Sequence, residues 1–442
     1  MQLICCMPLL YSVSMLRKLE LIAFTLLFVL NAQAQNSLQD YISKAKQNSP
    51  LLFDNKNQSE INSLEADRLK AFYTKPQIGL TANYLFAPVI STDNNHTSFE
   101  PNPNGSANYF GYDLAASNGG TYQGLITFTQ PLFNGSRYEA YAGQSNVLKQ
   151  INQNNVKLTE HDIEKLVTDQ YILCLLDKKQ MQFVDTMLLL LREQTDIVKK
   201  LVENSILKQS DLTLLNIEYQ NNLGLQTTYK ATYRRDVMDL NVLCGINDTT
   251  YILLDEITLN PSGTVNNTSG YLEKYKLDSM NILSVQNIFE TKYKPQFNFY
   301  SNAGLNAVYA PTIPNRFGFS AGFSLTWNFF DGNQKSITRK KTDLQLKSVS
   351  FYRTNFLVQN NVRKDKILTE LQSYNERKTI AETQLTEYTS LLSSYKKEIL
   401  QGQLSVLSYI TTLKNMTTVK RDYFILETNR FLLINAYNYW NW

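Results

Sequence analysis

Apolar and polar residues alternate strictly along several stretches of this chain, and along others apolar residues recur every three to four positions. From position 78, Ile78, Leu80, Ala82, Tyr84 and Phe86 share one face of a strand, and Gln77, Gly79, Thr81 and Asn83 share the other. Residues 296–309 repeat the pattern with Phe297, Phe299, Ala303, Leu305 and Tyr309 on one side. The last such run is the most regular. Phe317, Phe319, Ala321, Phe323, Leu325, Trp327 and Phe329 alternate with Gly318, Ser320, Gly322, Ser324, Thr326 and Asn328. A further strand over residues 122–133 is less regular, because Leu125 interrupts its polar side. The pattern therefore predicts four strands in two pairs, 76–133 and 295–330.

The remaining sequence reads as helix. Proline is absent from residues 136–260 and from 315–442, and after Gly332 the only glycine is Gly402. An unbroken helix over those seventy positions would be about 105 Å long, which suits a coiled coil and not a globular core. Ile367, Leu371, Tyr374, Ala381, Leu385, Tyr388, Leu392, Tyr395 and Ile399 follow three-four spacing, with Lys378 the one polar intruder. A matching helix is expected over 136–203. Each long helix then turns and returns. The first turn is residues 204–210, with Asp211 expected as N-cap. The second is residues 401–404, with Ser405 as N-cap. Leu212, Leu215, Tyr219, Tyr229, Tyr233, Leu240 and Leu243 mark the apolar seam of the first return helix.

The two halves share one plan. Lys75-Pro76-Gln77 opens a strand pair that closes on Pro131-Leu132-Phe133-Asn134-Gly135. Lys294-Pro295-Gln296 opens another, closing on Asn328-Phe329-Phe330-Asp331-Gly332. The chain accordingly divides into a signal peptide (1–34), a first repeat (35–244) and an equatorial segment with a second repeat (245–442). The first repeat holds helices at 37–48 and 50–73, strand pair 76–133, long helix 136–203 and return helix 211–244. The second holds a helix at 271–291, strand pair 295–330, long helix 333–401 and return helix 405–437. Residues 87–120, between the first two strands, read as a long polar loop.

An aromatic strand face opposite a small polar face suits a barrel wall with lipid on one side and water on the other. A soluble sheet buried on one face alternates as well. Ile78, Leu80, Tyr84, Phe297, Phe299, Phe317, Phe319, Phe323, Leu325 and Trp327 are the expected lipid-facing residues. Four strands cannot close a barrel, since single-chain barrels begin at about eight strands. An open edge in hydrocarbon leaves backbone groups unpaired, so spanning strands require several copies of the chain to share one barrel.

The N-terminus carries Arg17 and Lys18, an apolar stretch over 19–30, and Ala32-Gln33-Ala34 before Gln35, as a secretory signal does; Met15 is a candidate start. Cys5 and Cys6 precede the basic pair, which argues against a lipoprotein anchor. No later segment has the roughly 18 apolar residues of a membrane helix. The 43 basic and 39 acidic residues nearly balance, which gives no case for nucleic-acid binding. Tyr and Phe, 27 and 22, supply barrel faces and girdles. Cys174 and Cys244 read as small buried residues with free thiols. His96 and His161 lack partners at metal-ligand spacing. No P-loop, nucleophile elbow or dinucleotide fingerprint is present, so neither an enzyme nor a cofactor is expected. The aromatic end, Tyr437, Tyr439, Trp440 and Trp442, reads as the end of a packed helix.

These motifs, in this order and at matching places in both halves, resemble the TolC family of outer-membrane efflux proteins. The carriers are Ser37-Leu38-Gln39 with Asn48-Ser49-Pro50, both Lys-Pro-Gln strand starts, the elements ending at Gly135 and Gly332, Ser210-Asp211-Leu212, and residues 402–407. The resemblance implies a mixed fold of α-helix and membrane β. Four strands per chain would contribute to a twelve-stranded barrel shared by a homotrimer, continued by a coiled-coil tunnel through the periplasm. It implies location in the outer membrane of a Gram-negative bacterium, and passive export within a tripartite efflux or type I secretion system. The partners would be a periplasmic adaptor, an inner-membrane pump of RND or ABC type, and outer-membrane lipid. The adaptor-docking tips would be Ser205, Ile206 and Leu207 with Gly402, Gln403 and Leu404, and the periplasmic constriction Asp211, Ser408 and Thr411. The chain departs from the family at Asn328, where proline is frequent, and at Ser205, where glycine is usual. It also has Ser408 and Thr411 where well-studied members carry aspartate. The competing class is a structural coiled-coil protein or a periplasmic adaptor without a pore. An adaptor has one long hairpin, however, and lacks strand pairs of this two-faced kind.

Overall fold

A computed structural model describes residues 37–86, 89–93, 95–100, 120–263, 269–307 and 310–442. The signal peptide at 1–34, the expected strand position Tyr309 and residues 101–119 lie outside the described residues. The chain forms two compact units. Of the described residues, one holds those within 37–52, 157–269 and 358–442, and the other those within 53–156 and 270–357.

The second unit is built on an antiparallel sheet. Strands β1 (Gln77–Phe86), β4 (Gly120–Leu132), β5 (Gln296–Ala307) and β6 (Phe317–Thr326) lie side by side in that order. The registers set Leu80 opposite Ile126, Ile126 opposite Ala303, and Ala303 opposite Phe319. Opposed residues share a face, so the alternation of each strand adds to that of its neighbours. Within residues 87–120, β2 (Val89–Asp93) and β3 (His96–Glu100) pair as a hairpin where a polar loop was expected. Its turn residue Asn95 adopts φ 67, a conformation asparagine tolerates well. The last strand is shorter than its alternation. Its final pair is Gln296 with Thr326, after which Trp327 and Asn328 bond to the carbonyls of Tyr293 and Lys292 and leave the sheet.

Four helices lead into and out of the sheet. They are α2 (Pro50–Thr74), the first part of α3 (Gly135–Glu203), α5 (Leu272–Glu290) and the first part of α6 (Gln334–Leu400). Pro50 opens α2, where its missing N–H leaves no bond unmade. Tyr73 of α2 stacks on Tyr141 of α3 at 5.3 Å. Arg137 donates to the carbonyls of Thr291 and Lys294, tying α3 to the start of β5. Arg339 of α6 holds Glu290 of α5 through two hydrogen bonds of 2.7 and 2.9 Å.

The first unit is helical. It contains α1 (Leu38–Asn48), the remainders of α3 and α6, α4 (Gln209–Leu243) and α7 (Val406–Trp440). Ser37 caps α1, its hydroxyl accepting the Asp40 N–H at 3.3 Å. The three-four pattern on α6 marks its buried side: Ile367, Leu371, Ala381, Leu392 and Ile399 are all at most 9% exposed. The seam of α4 runs through Leu215, Tyr233, Val237, Leu240 and Cys244. Leu243, expected on that seam, is exposed: it lies one residue short of the buried position at 244, about 100° away around the helix.

Residues 245–263 carry no regular structure, yet they are clasped. Tyr171 donates to the Asp255 carbonyl at 2.8 Å, Tyr233 to that of Ile252 at 3.0 Å, and Lys178 to that of Leu254 at 2.7 Å. Cys174 and Cys244 lie in this same core with no exposure and free thiols. Burial pushes both thiols well above their usual pKa, Cys244 to about 12. The aromatic C-terminus packs against α3 and α6. His161 stacks on Tyr439 and Trp442 at 4.8 and 4.4 Å, and Arg363 lies 3.8 Å over the Trp440 ring.

Candidate functional site

The sheet has one apolar and one polar face, and among the described residues neither is covered. Ile78, Leu80, Tyr84, Ile126, Phe317, Phe319, Phe323 and Leu325 occupy the apolar face at 57–77% exposure. Phe297 and Phe299 share it but are half-buried against Phe323, at 5.4 Å each. Trp327 lies just past the strand and is half-exposed. Covering eight such side chains would contribute on the order of 10–20 kcal/mol. The opposite face carries Gln77, Thr81, Asn83, Thr127, Asn302, Ser320 and Ser324. Leu125 does fall among these polar residues, opposite Thr81 and Gly304. Gly304 on this face has no room for a side chain, because a Cβ there would stand 2.1 Å from the Gly124 carbonyl oxygen.

Strands β1 and β6 are the edges of the sheet, each ten residues long. An antiparallel edge of that length leaves about ten backbone groups without partners. Four strands alternate in direction, so β6 of one copy runs antiparallel to β1 of the next. Any number of copies can continue the ladder.

At the far ends of the long helices, two tight turns close the hairpins in the same way. Ser205 and Gly402 both adopt left-handed backbone, φ 63 and 69. Ser205 N–H bonds to the Val202 carbonyl and Ile206 N–H to that of Leu201, both at 2.9 Å. Gly402 and Gln403 repeat this with Ile399 and Glu398 at 3.0 and 2.9 Å. These paired bonds satisfy the last carbonyls of each helix. The two turns meet: a Cβ on Gly402 would lie 3.4 Å from Ile206. Of the other expected tip residues, Leu207 and Leu404 pack on the apolar cluster behind the turns, and Gln403 is exposed.

The expected constriction residues follow directly. Ser405 caps α7, accepting the Ser408 N–H at 3.2 Å. Thr411 donates to the Leu407 carbonyl at 2.9 Å. Asp211 is not the N-cap of α4: that helix begins at Gln209, and Lys208 is the N-cap. The Asp211 carboxylate instead reaches back to accept the Lys208 N–H at 3.1 Å. Spacing alone misplaced it, because an acidic residue suits either the cap or the third helical position. Among the described residues Asp211 makes no hydrogen bond or ion pair to Ser408 or Thr411 within one chain.

Two charged clusters in the helical unit escaped the sequence reading. Asp177 of α3 is 7% exposed, and its carboxyl is pushed up to about 7 by burial and by the neighbouring Asp236 carboxyl of α4. Asp177 follows directly on the apolar run at residues 171–176, three positions after the buried Cys174. Glu164 is held down at about 2 by His161, whose ring nitrogen lies 3.8 Å away, and by a hydrogen bond from Lys46.

A four-stranded, two-faced sheet with open edges, joined to two long helical hairpins, is the fold of the TolC-family outer-membrane channels, and this chain has that fold. The crystal structure of the outer membrane protein VceC from Vibrio cholerae superposes with a TM-score of 0.68 at 13% identity, over 91% of this chain and 95% of that one. The outer-membrane channel OprN gives 0.68 at 10% identity, over 91% and 89%. The open state of the Neisseria gonorrhoeae MtrE outer membrane channel gives 0.67 at 10% identity, over 91% and 88%. No family model and no curated protein matches the chain by sequence.

Proposed function

We propose that this protein is the outer-membrane channel of a tripartite efflux or type I secretion system, a passive conduit without chemistry of its own. The uncovered two-faced sheet carries the reading. Its aromatic face fits hydrocarbon, its polar face fits water, and its two open edges must be paired before either can enter a bilayer. Leaving about ten groups per edge unpaired, at several kcal/mol each, outweighs any gain from inserting one chain alone. A homotrimer meets the requirement with twelve strands, in the outer membrane of a Gram-negative bacterium, with the helical hairpins in the periplasm. The tips at Ser205, Ile206, Leu207, Gly402, Gln403 and Leu404 then dock a periplasmic adaptor, through which the channel serves an inner-membrane pump of RND or ABC type. Asp211, Ser408 and Thr411 of three chains line the periplasmic constriction.

The test combines native mass measurement in detergent with conductance in planar bilayers. A trimer that forms stable ion-conducting pores is expected. A monomer that does not conduct would return the chain to the class of structural coiled-coil proteins.

A further inference from the structure

We infer that the base of the sheet carries a binding site for the anionic headgroups of membrane phospholipids; this rests on the outer-membrane channel reading. Three of the most exposed aromatic side chains sit just beyond the last paired row of the sheet. Phe133, Phe329 and Phe330 are 88, 80 and 89% exposed. Phe133 holds its ring outward from a left-handed backbone, φ 56, a conformation that a bulky residue adopts only against steric resistance. Its ring lies 6.2 Å from Phe297, so it continues the apolar face of the sheet below the final rung. Trp327 prolongs the same face at β6, where its ring packs on Phe329 at 4.5 Å. Aromatic rings at the end of a lipid-facing strand sit at headgroup depth.

Charge at this level is basic and unused. Lys75, Lys292 and Lys294 are exposed, and none forms an ion pair among the described residues. Two of them flank the residue that anchors the tryptophan: the Trp327 indole N–H donates to the Tyr293 carbonyl at 3.1 Å, and Asn328 donates to that of Lys292 at 3.2 Å. Lys75 is placed by the bond from Gln130 of β4 to the Thr74 carbonyl at 3.1 Å. The nearby carboxylates are already engaged, Asp331 by the Tyr293 hydroxyl and the Lys335 N–H, Glu290 by Arg339. Uncompensated ammonium groups beside exposed rings match a phosphate headgroup above and its acyl chain alongside. The occupant is therefore a phospholipid of net negative charge in the leaflet that meets the helical end of the sheet.

The experiment reconstitutes the full-length protein into phosphatidylcholine nanodiscs that contain a minor share of phosphatidylglycerol. Lipid retained on the protein is then counted by native mass spectrometry. The unaltered protein should enrich phosphatidylglycerol over its bulk fraction, by about fivefold for each engaged lysine before screening. High salt should erase that enrichment. The combined Lys75→Gln, Lys292→Gln and Lys294→Gln variant should lose at least about tenfold of the enrichment and keep its planar-bilayer conductance, which shows it folded. A Lys→Arg version at the same positions should restore it. Enrichment unchanged in the glutamine variant, or absent in a conducting unaltered protein, overturns this site and leaves the channel reading standing. Failure of the unaltered protein to insert in any bilayer overturns both.

Discussion

Asp177→Asn should flatten the pH dependence of stability. The carboxyl of Asp177 is 7% exposed and faces that of Asp236, and burial with this neighbour raises it from 3.8 to about 7. One of its oxygens has no hydrogen-bond partner. The pair therefore keeps one proton between them in the folded protein at pH values where the unfolded chain has released it. A raised carboxyl contributes stability that is fully present below its unfolded value, near pH 4, and is lost as pH rises through about 7. Each pH unit between those two values removes about 1.36 kcal/mol, so the loss across the window is at most about 4 kcal/mol. Water entering on ionisation reduces it. Asparagine keeps the shape and can donate to Asp236, but it has no proton to lose. Guanidinium unfolding should give the parent protein a midpoint that falls from pH 5 to pH 8, and the variant a midpoint nearly level over the same range. The Glu164 cluster does not mask this. Its carboxyl is lowered to about 2, so its contribution is present above about pH 4.5 and is lost only in stronger acid. A variant with the slope of the parent, or a parent whose stability rises over this window, would refute the shared-proton account.

Ser205→Gly should raise stability by about 1 kcal/mol, because only glycine adopts φ 63 freely, and Gly402→Ala should lower it by about 1–2 kcal/mol; thermal unfolding reads both. Gln194 is 1% exposed with neither amide atom bonded, so Gln194→Leu should stabilise by about 1–3 kcal/mol in denaturant titration, and a destabilised variant would show a hidden partner. Cys174 and Cys244 should resist thiol reagents in the folded protein and both react after denaturation without reductant; no reaction would reveal a disulfide. The unaltered channel should show weak block by divalent cations from the periplasmic side, since serine and threonine leave few carboxylates at the constriction. Ser408→Asp with Thr411→Asp should create block and raise cation selectivity, and block of the unaltered channel at micromolar cation would displace the constriction from these residues.

Much of the fold was legible because two-faced strands and coiled coils are the elements that hydrophobic period describes best. Among the described residues no element covers the face of Phe317, Phe319, Phe323 and Leu325, so nothing disturbs their period of two. Ile367, Leu371, Ala381, Leu392 and Ile399 mark a seam because a long helix has one apolar stripe. Strand ends were less legible. The alternation runs on to Phe329, but β6 needs a partner, and β5 begins only at Gln296. The tips were found from turn residues, yet Asp211 was assigned one role when its position serves another. Lys75, Lys292 and Lys294 gave no periodic signal, since their neighbourhood is assembled from three separate segments. The Asp177–Asp236 pair depends on two helices facing each other, which spacing along one helix cannot supply.

The local exceptions concentrate in one hairpin. Ser205 sits where the second hairpin has Gly402, Gln194 lies buried and unbonded on α3 between the cluster residues Leu191 and Val198, and Asp177 is buried beside a second carboxyl. Each opposes packing of α3 against its surroundings by about 1–3 kcal/mol. Among the described residues the second hairpin has two counterparts, Asn360 and Asn441, and both amides still donate, Asn360 to the Trp440 carbonyl and Asn441 to the Ser262 hydroxyl, each at 3.1 Å. A sequence selected only for a stable coiled coil would place glycine at 205 and an apolar residue at 194. These three choices on α3 and its turn each cost stability, although both hairpins close with the same pair of backbone bonds. The asymmetry therefore lies in side chains, and conservative substitutions at 177, 194 and 205 remove it without altering the backbone plan.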